Sequence, residues 1–200
     1  MKRFLRLAAV TALSAAMILG TAGSCFAALS VQYDLVWLER NASISNTVTA
    51  TEGEIYYFQG ENGVHAEFGE GEDSDELYIS TDADAMVGNH AIYIREQGTD
   101  NVEIIKIFVI DKTAPAISLS KSKTGITVTW TPTDAGRYDV QYKTSKGKWK
   151  TAAHFVNGSK FTVKGLKKGC KYSFRVRGVN YTYEWGELNG YWSNAKTKTY

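Results

Sequence analysis

Apolar and polar residues alternate one by one along several short runs of this chain, and glycine-bearing turns separate the runs. Ile126-Thr127-Val128-Thr129-Trp130, Tyr138-Asp139-Val140-Gln141-Tyr142 and Tyr172-Ser173-Phe174-Arg175-Val176-Arg177 each place bulky apolar groups on one side and polar groups on the other. A period of two belongs to a β-strand, whose successive side chains point to opposite faces. One dry face and one wet face is the pattern of an antiparallel sheet. Asp134-Ala135-Gly136, Lys146-Gly147, Asn157-Gly158 and Lys168-Gly169 carry turn residues between or beside the runs. Short strands with such frequent turns predict a sandwich of antiparallel sheets.

The N-terminal half reads the same way. Residues 54–58 and 64–68 flank a turn ending in Asn62-Gly63, which predicts a hairpin. Residues 77–80, 91–95 and 102–110 follow as predicted strands. The last run carries Ile104, Ile105, Ile107, Phe108, Val109 and Ile110, apolar on both faces. One face is expected in a core, and the other against the next domain or over a sheet edge. The expected fold class is all-β, with two tandem antiparallel β-sandwiches.

Charge divides the chain at the same place. Residues 28–114 hold 17 Asp and Glu against four Lys and Arg, a net of −13. Residues 115–200 hold 16 Lys and Arg against four acids, a net of +12. A break of this size predicts a domain boundary near Pro115, with domains at 28–114 and 115–200 that attract each other. Only two cysteines occur, Cys25 and Cys170. A lone Cys170 in the mature chain cannot close an internal disulfide, so the fold must rest on its apolar cores.

Residues 1–27 have the order of a bacterial-type secretory signal. Lys2, Arg3 and Arg6 precede an apolar stretch, and Cys25-Phe26-Ala27 offers small residues for cleavage after Ala27. The apolar stretch is short for a spanning helix, which needs about 20 residues. Ala22-Gly23-Ser24-Cys25 is a rival, lipoprotein-like cleavage site. A membrane partner is expected only if Cys25 is lipidated. The protein is expected to be secreted or at the cell surface, where the basic second half would not meet nucleic acid.

The run Gly165-Leu166-Lys167-Lys168-Gly169-Cys170-Lys171-Tyr172-Ser173-Phe174-Arg175-Val176-Arg177 resembles the fibronectin type III family, in its leucine, loop, tyrosine and alternating strand. The resemblance extends to Trp130 as the core tryptophan and to Tyr191-Trp192-Ser193-Asn194 at the opening of the last strand. It implies structural roles for Trp130, Leu166 and Tyr172, the last as a corner tyrosine whose hydroxyl bonds upstream backbone. The family often has proline where Lys168 stands and alanine where Gly178 stands. Ile92-Tyr93-Ile94-Arg95, followed by Asp111-Lys112-Thr113-Ala114-Pro115, is similar to the end of bacterial immunoglobulin-like repeats. That similarity implies an immunoglobulin-like first sandwich.

Signals for catalysis are missing. His65, His90 and His154 fall in no metal-ligand spacing, and no nucleophile elbow or phosphate-binding glycine loop occurs. His65 and His90 read as structural residues and Cys170 as a loop residue, since a catalytic cysteine needs an activating base. No cofactor is expected beyond calcium, which the acidic stretch could hold through Asp73, Asp75, Asp82 and Asp84. A solvated acidic loop is the alternative. The connection 180–192 carries five aromatic residues, more than a turn needs. Tyr183 and Trp185, with Glu184 and Glu187, are the candidate ligand-binding residues, because aromatic clusters on loops mark recognition surfaces. Tyr181 and Tyr191 are expected to pack at the strand ends. The expected function is adhesion or recognition of a protein or glycan at the cell surface. The alternatives are a carbohydrate-binding module that serves a separate enzyme, and a structural spacer.

Overall fold

The computed structural model describes residues 29–49, 55–58, 62–69, 76–96 and 100–200. The expected signal segment 1–27 lies outside them. The described residues form strands only. The first eight are β1 (Ser30–Val31), β2 (Leu35–Glu39), β3 (Ser43–Thr49), β4 (Ile55–Phe58), β5 (Val64–Phe68), β6 (Glu76–Thr81), β7 (Gly88–Glu96) and β8 (Val102–Ile110). The rest are β9 (Ile117–Lys121), β10 (Gly125–Trp130), β11 (Arg137–Thr144), β12 (Lys150–Asn157), β13 (Lys160–Lys164), β14 (Lys171–Thr182), β15 (Gly186–Asn189) and β16 (Lys196–Thr199).

Two separate cores make this a tandem of two β-sandwiches. The first core gathers residues between Leu29 and Val109, the second residues from Ile117 onward. In the first sandwich, the sheet β1-β3-β6-β5 faces the sheet β2-β8-β7-β4. If β1 and β2 count as one strand that changes sheet, this is the four-on-three order of a constant-type immunoglobulin domain. The change of sheet explains why β2 runs parallel to β8 while the other pairs are antiparallel. Leu77, Ile79, Ile92, Ile94, Ile105 and Ile107 are buried between the sheets. Each such side chain contributes about 1.5–3 kcal/mol.

Two expectations for this half need correction. Residues 54–58 and 64–68 do not pair as a hairpin, because β4 joins β7 in one sheet and β5 joins β6 in the other. The Asn62-Gly63 turn is present, with φ of 60° and 79°, but it docks on the 82–86 loop. Asp82 N–H donates to Gly63 C=O and Met86 N–H to Asn62 C=O. A Cβ on Gly63 would lie 2.8 Å from Ala85 Cα. The outer face of β8 meets expectation only in part, for Ile110 is buried and Phe108 half-buried. Val102 and Ile104 are exposed and, with Tyr93 beside them on β7, face solvent and neither the second domain nor a sheet edge.

The second sandwich sets β13-β10-β9 against β12-β11-β14, with β15 and β16 both pairing with β14. Trp130 lies in its core with its ring 5.3 Å from that of Tyr138, Phe174 is fully buried, and Leu166 packs against the cluster. Gly178 stands where a Cβ would come 2.6 Å from Ala135 Cβ, which accounts for the missing alanine. The Tyr172 hydroxyl accepts the Lys167 N–H at 3.0 Å, as the corner reading expects. Sequence reading missed a second such tyrosine: the Tyr138 hydroxyl accepts from Thr133 N–H at 2.6 Å and donates to Thr133 C=O at 2.9 Å. Tyr172→Phe should cost about 1 kcal/mol and Tyr138→Phe about 2 kcal/mol in urea unfolding, one hydrogen bond against two. Equal and negligible losses would contradict both roles.

The sandwiches meet at residues 111–113. Buried Asp111 accepts the N–H of Thr113 and of Asp134, each at 2.8 Å, and Asn180 donates to the Asp111 C=O. Lys112 pairs with Glu39 at 2.8 Å and sits 4.8 Å from the Trp37 ring centroid and 5.7 Å from that of Tyr191. Arg40 pairs with Asp134 at 2.6 Å. This contact uses the minority charge of each half, a cation from the acidic one and an acid from the basic one. Among the described residues, this ion pair across the junction therefore does not draw on the majority charge of either half.

Candidate recognition surface

The outer face of the sheet β12-β11-β14-β15 concentrates aromatic and charged side chains. From Tyr172 to Arg177 β14 alternates, turning Phe174 and Val176 inward and Arg175 and Arg177 outward. The two arginines are not free cations on a wet face. The Arg175 guanidinium lies 4.3 Å from the Trp149 ring centroid and 4.2 Å from that of Trp192, and Arg177 lies 4.6 Å from Trp192. Lys143 covers Trp149 at 4.9 Å. Stacking of this kind is worth about 0.5–2 kcal/mol per pair. Burial, followed by the neighbouring Arg177 charge, lowers the Arg175 pKa.

Toward the β14–β15 end, the pairing changes from cation–ring to ion. Asp139 on β11 is buried, and its carboxylate accepts from Arg177 Nε and Nη2 at 3.0 and 2.9 Å. The other Asp139 oxygen meets His154 Nδ1 at 2.5 Å, while His154 Nε2 meets Glu187 on β15 at 3.1 Å. The hydrogen bond to Asp139 raises the His154 pKa most, and the bond to Glu187 adds to it against a small effect of burial. A raised folded-state pKa means the bridge is fully made below the unfolded value, about 6.5. It is lost as the pH rises through the folded value. An NMR titration of the His154 ring should therefore give a pKa above that of a free histidine, falling toward it in Glu187→Gln. A midpoint at or below the free value would contradict the bridge.

The pairing of β11 with β12 slips between Tyr138 and Val140, and Phe155 sits in this irregularity with φ of 53°. A bulky residue in the left-handed region is strained by about 1–3 kcal/mol. The Asp139 carboxylate helps to hold it by accepting the Phe155 N–H at 3.4 Å. The Phe155 ring lies 6.3 Å from Tyr181 at an interplanar angle of 85°. Tyr181 lies 6.3 Å from Tyr183 at 78°. The Arg137 guanidinium sits 5.4 Å from the Phe155 centroid.

These contacts revise the expected loop 180–192. β14 runs on to Thr182, and β15 returns beside it, so the tip is only Tyr183-Glu184-Trp185. Tyr183 is 96% exposed and Glu184 is exposed, whereas Trp185 is half-buried. Tyr181 does not pack away at a strand end but remains 54% exposed within the ring row. Tyr191 is 56% exposed at the domain junction, where its N–H donates to Lys112 C=O. Glu187 is held by His154. Sequence reading missed Phe155, His154 and Arg137 here, because a β-bulge leaves no periodic signature.

The acidic candidates are placed only in part. Asp73 and Asp75 lie outside the described residues. Asp82 pairs with His65 at 2.8 Å, and Asp84 is exposed. Among the described residues, no three His, Cys, Asp or Glu side chains come together as a metal site. His90 bonds the Met86 carbonyl, and Cys170 lies in the loop before β14. No described helix is long and apolar enough to cross a membrane.

Among solved structures, the chain is similar to one described as a cytokine receptor complex, at 18% identity over 80% of this chain and 92% of that one, with a TM-score of 0.47. It is also similar to a set of domains from titin, at 16% identity over 81% of this chain and 60% of that one, with a TM-score of 0.39. The sequence profile of the Fibronectin type III domain matches residues 114–187. The corner tyrosine, core tryptophan and strand order of the second sandwich thus belong to a fibronectin type III domain at residues 114–187.

Proposed function

We propose that this chain is an exported, non-enzymatic recognition protein that acts at the cell surface or outside the cell. Immunoglobulin-like and fibronectin type III domains are typical binding modules and are commonly non-catalytic. In this reading the domains span 28–114 and 115–200, residues 1–27 direct export, and the ligand meets the β14–β15 hairpin. Tyr183, Trp185 and Glu184 are the contact residues, and Glu187 holds the hairpin against His154.

The observation that carries this reading is the exposure of Tyr183 at the tip of a paired, cross-braced hairpin. A large ring left in water at a rigid site is contact area already in place, at little further entropic cost. Residues 28–200 should therefore bind members of an array of glycans and extracellular-matrix proteins. Tyr183→Ala with Trp185→Ala should abolish that binding and leave the thermal midpoint nearly unchanged. Unimpaired binding, or a midpoint many degrees lower, would contradict this assignment.

A further inference from the structure

We propose that the shelf of Phe155, Tyr181 and Tyr183 takes an uncharged saccharide, with pyranose C–H faces on the two exposed tyrosine rings and hydroxyls on Arg137 and Glu184. This assignment rests on the recognition reading above and specifies its ligand.

Local charge is the first argument. Residues 115–200 hold 16 cations and four acids, so most of this domain's surface would draw a polyanion. The shelf is the exception. Three of the four acids, Asp139, Glu184 and Glu187, lie at this end. They stand with Arg137, Arg177 and His154, and most of these charges are already joined to one another. With two arginines and one histidine against three carboxylates, the shelf has little field with which to attract a polyanion or a polycation.

Ring geometry is the second argument. Successive rings stand nearly perpendicular, at 85° and 78°, and Tyr181 and Tyr183 both reach solvent. The row is stepped, unlike the single flat apolar patch that a protein interface core presents. A stepped row of rings, with the Arg137 donor beside Phe155 at one end and exposed Glu184 following Tyr183 in the chain at the other, fits a ligand that is apolar on its faces and hydroxylated at its edges. Fixed aromatic walls with a few placed polar groups are the usual build of a small-ligand site.

Preorganisation is the third argument. Phe155 keeps a left-handed backbone that a bulky residue avoids. Asp139, buried on β11, bonds its N–H while also holding His154 and Arg177. Strain maintained by a dedicated network is characteristic of binding sites.

The test is affinity electrophoresis of residues 28–200 through native gels containing hydroxyethylcellulose, laminarin, arabinoxylan, galactomannan or dextran, with heparin as the charged comparison. The expected result is retardation by at least one neutral polymer, unchanged by 0.3 M salt in a parallel pull-down. Tyr183→Ala and Tyr181→Ala should each weaken it by about tenfold or more, as for residues that dominate an interface. Since Tyr183 is 96% exposed, its removal leaves the fold intact even if Tyr181→Ala does not. Retardation by heparin alone, or by none of the polymers, overturns the saccharide assignment. In that case a protein on the array whose binding is lost in Tyr183→Ala would leave the recognition reading standing. Retardation by a neutral polymer that Tyr183→Ala leaves unchanged overturns both.

Discussion

Asp139→Ala should lower the unfolding free energy of the second sandwich by about 3 kcal/mol, the scale for breaking a buried ion pair by removing one partner. Asp139 is 4% exposed and holds three residues on two neighbouring strands at once. It accepts two N–H groups from Arg177 on β14, meets His154 on β12, and bonds the strained Phe155 backbone. Alanine takes the carboxylate from the Arg177 guanidinium, which keeps the Trp192 ring and the like charge of Arg175 near it. It also frees Phe155 to relax, which should move the ring away from Tyr181. Asp139→Asn should cost less, because an amide oxygen can still accept from Arg177. Urea unfolding with an unchanged slope would measure both effects. A loss below about 1 kcal/mol for the alanine variant would mean that the network is only surface decoration.

Asp111→Ala should have a comparable effect, about 2–4 kcal/mol, through the domain junction instead of the sheet face. Its carboxylate, 2% exposed as a residue, satisfies two backbone N–H groups that alanine leaves without it. Burial by itself would raise the Asp111 pKa. The hydrogen bonds from Thr113 and Asp134, with Arg40 nearby, outweigh burial and hold it below the ordinary value. The lowered folded-state pKa contributes stability in full above the unfolded value, about 3.9. That stability is lost as the pH falls through the folded value. The junction should thus hold at neutral pH and loosen only below about pH 4. Fluorescence transfer between dyes on the two sandwiches should show a narrow distance at pH 7 that broadens in Asp111→Ala and in acid. A distance that ignores both would contradict a junction held by Asp111.

Much of the second sandwich was legible because its strands obey one rule at a time. Period-two runs such as 126–130 and 172–177 have one buried side, and the sandwich follows from that. Tyr172 and Trp130 were legible from a family pattern. The first sandwich was harder. Asn62-Gly63 is a hairpin dipeptide by local chemistry, yet its flanking strands enter different sheets, because the turn's backbone bonds the 82–86 loop. The outward apolar side of β8 was legible as a pattern, but not the exposure of Val102 and Ile104 at its start. The aromatic excess in 180–192 pointed to the β14–β15 hairpin proposed as the site. What it could not reveal was a ring from β12, placed by a bulge, or a carboxylate–histidine bridge between residues 33 positions apart. Arg175 and Arg177 read as outward charges and are outward, but their tryptophan partners come from distant segments.

The central claim, that recognition occurs at the β14–β15 hairpin, is tested most directly by amide chemical-shift mapping. Residues 28–200 would be titrated with the strongest binder found on the glycan and matrix-protein array. The account predicts that the largest shifts fall on residues 181–187 and around Phe155 and His154, with the outer face of β7 and β8 unmoved. Shifts centred on Tyr93, Val102 and Ile104, with the hairpin silent, would contradict it and move the binding surface to the first sandwich.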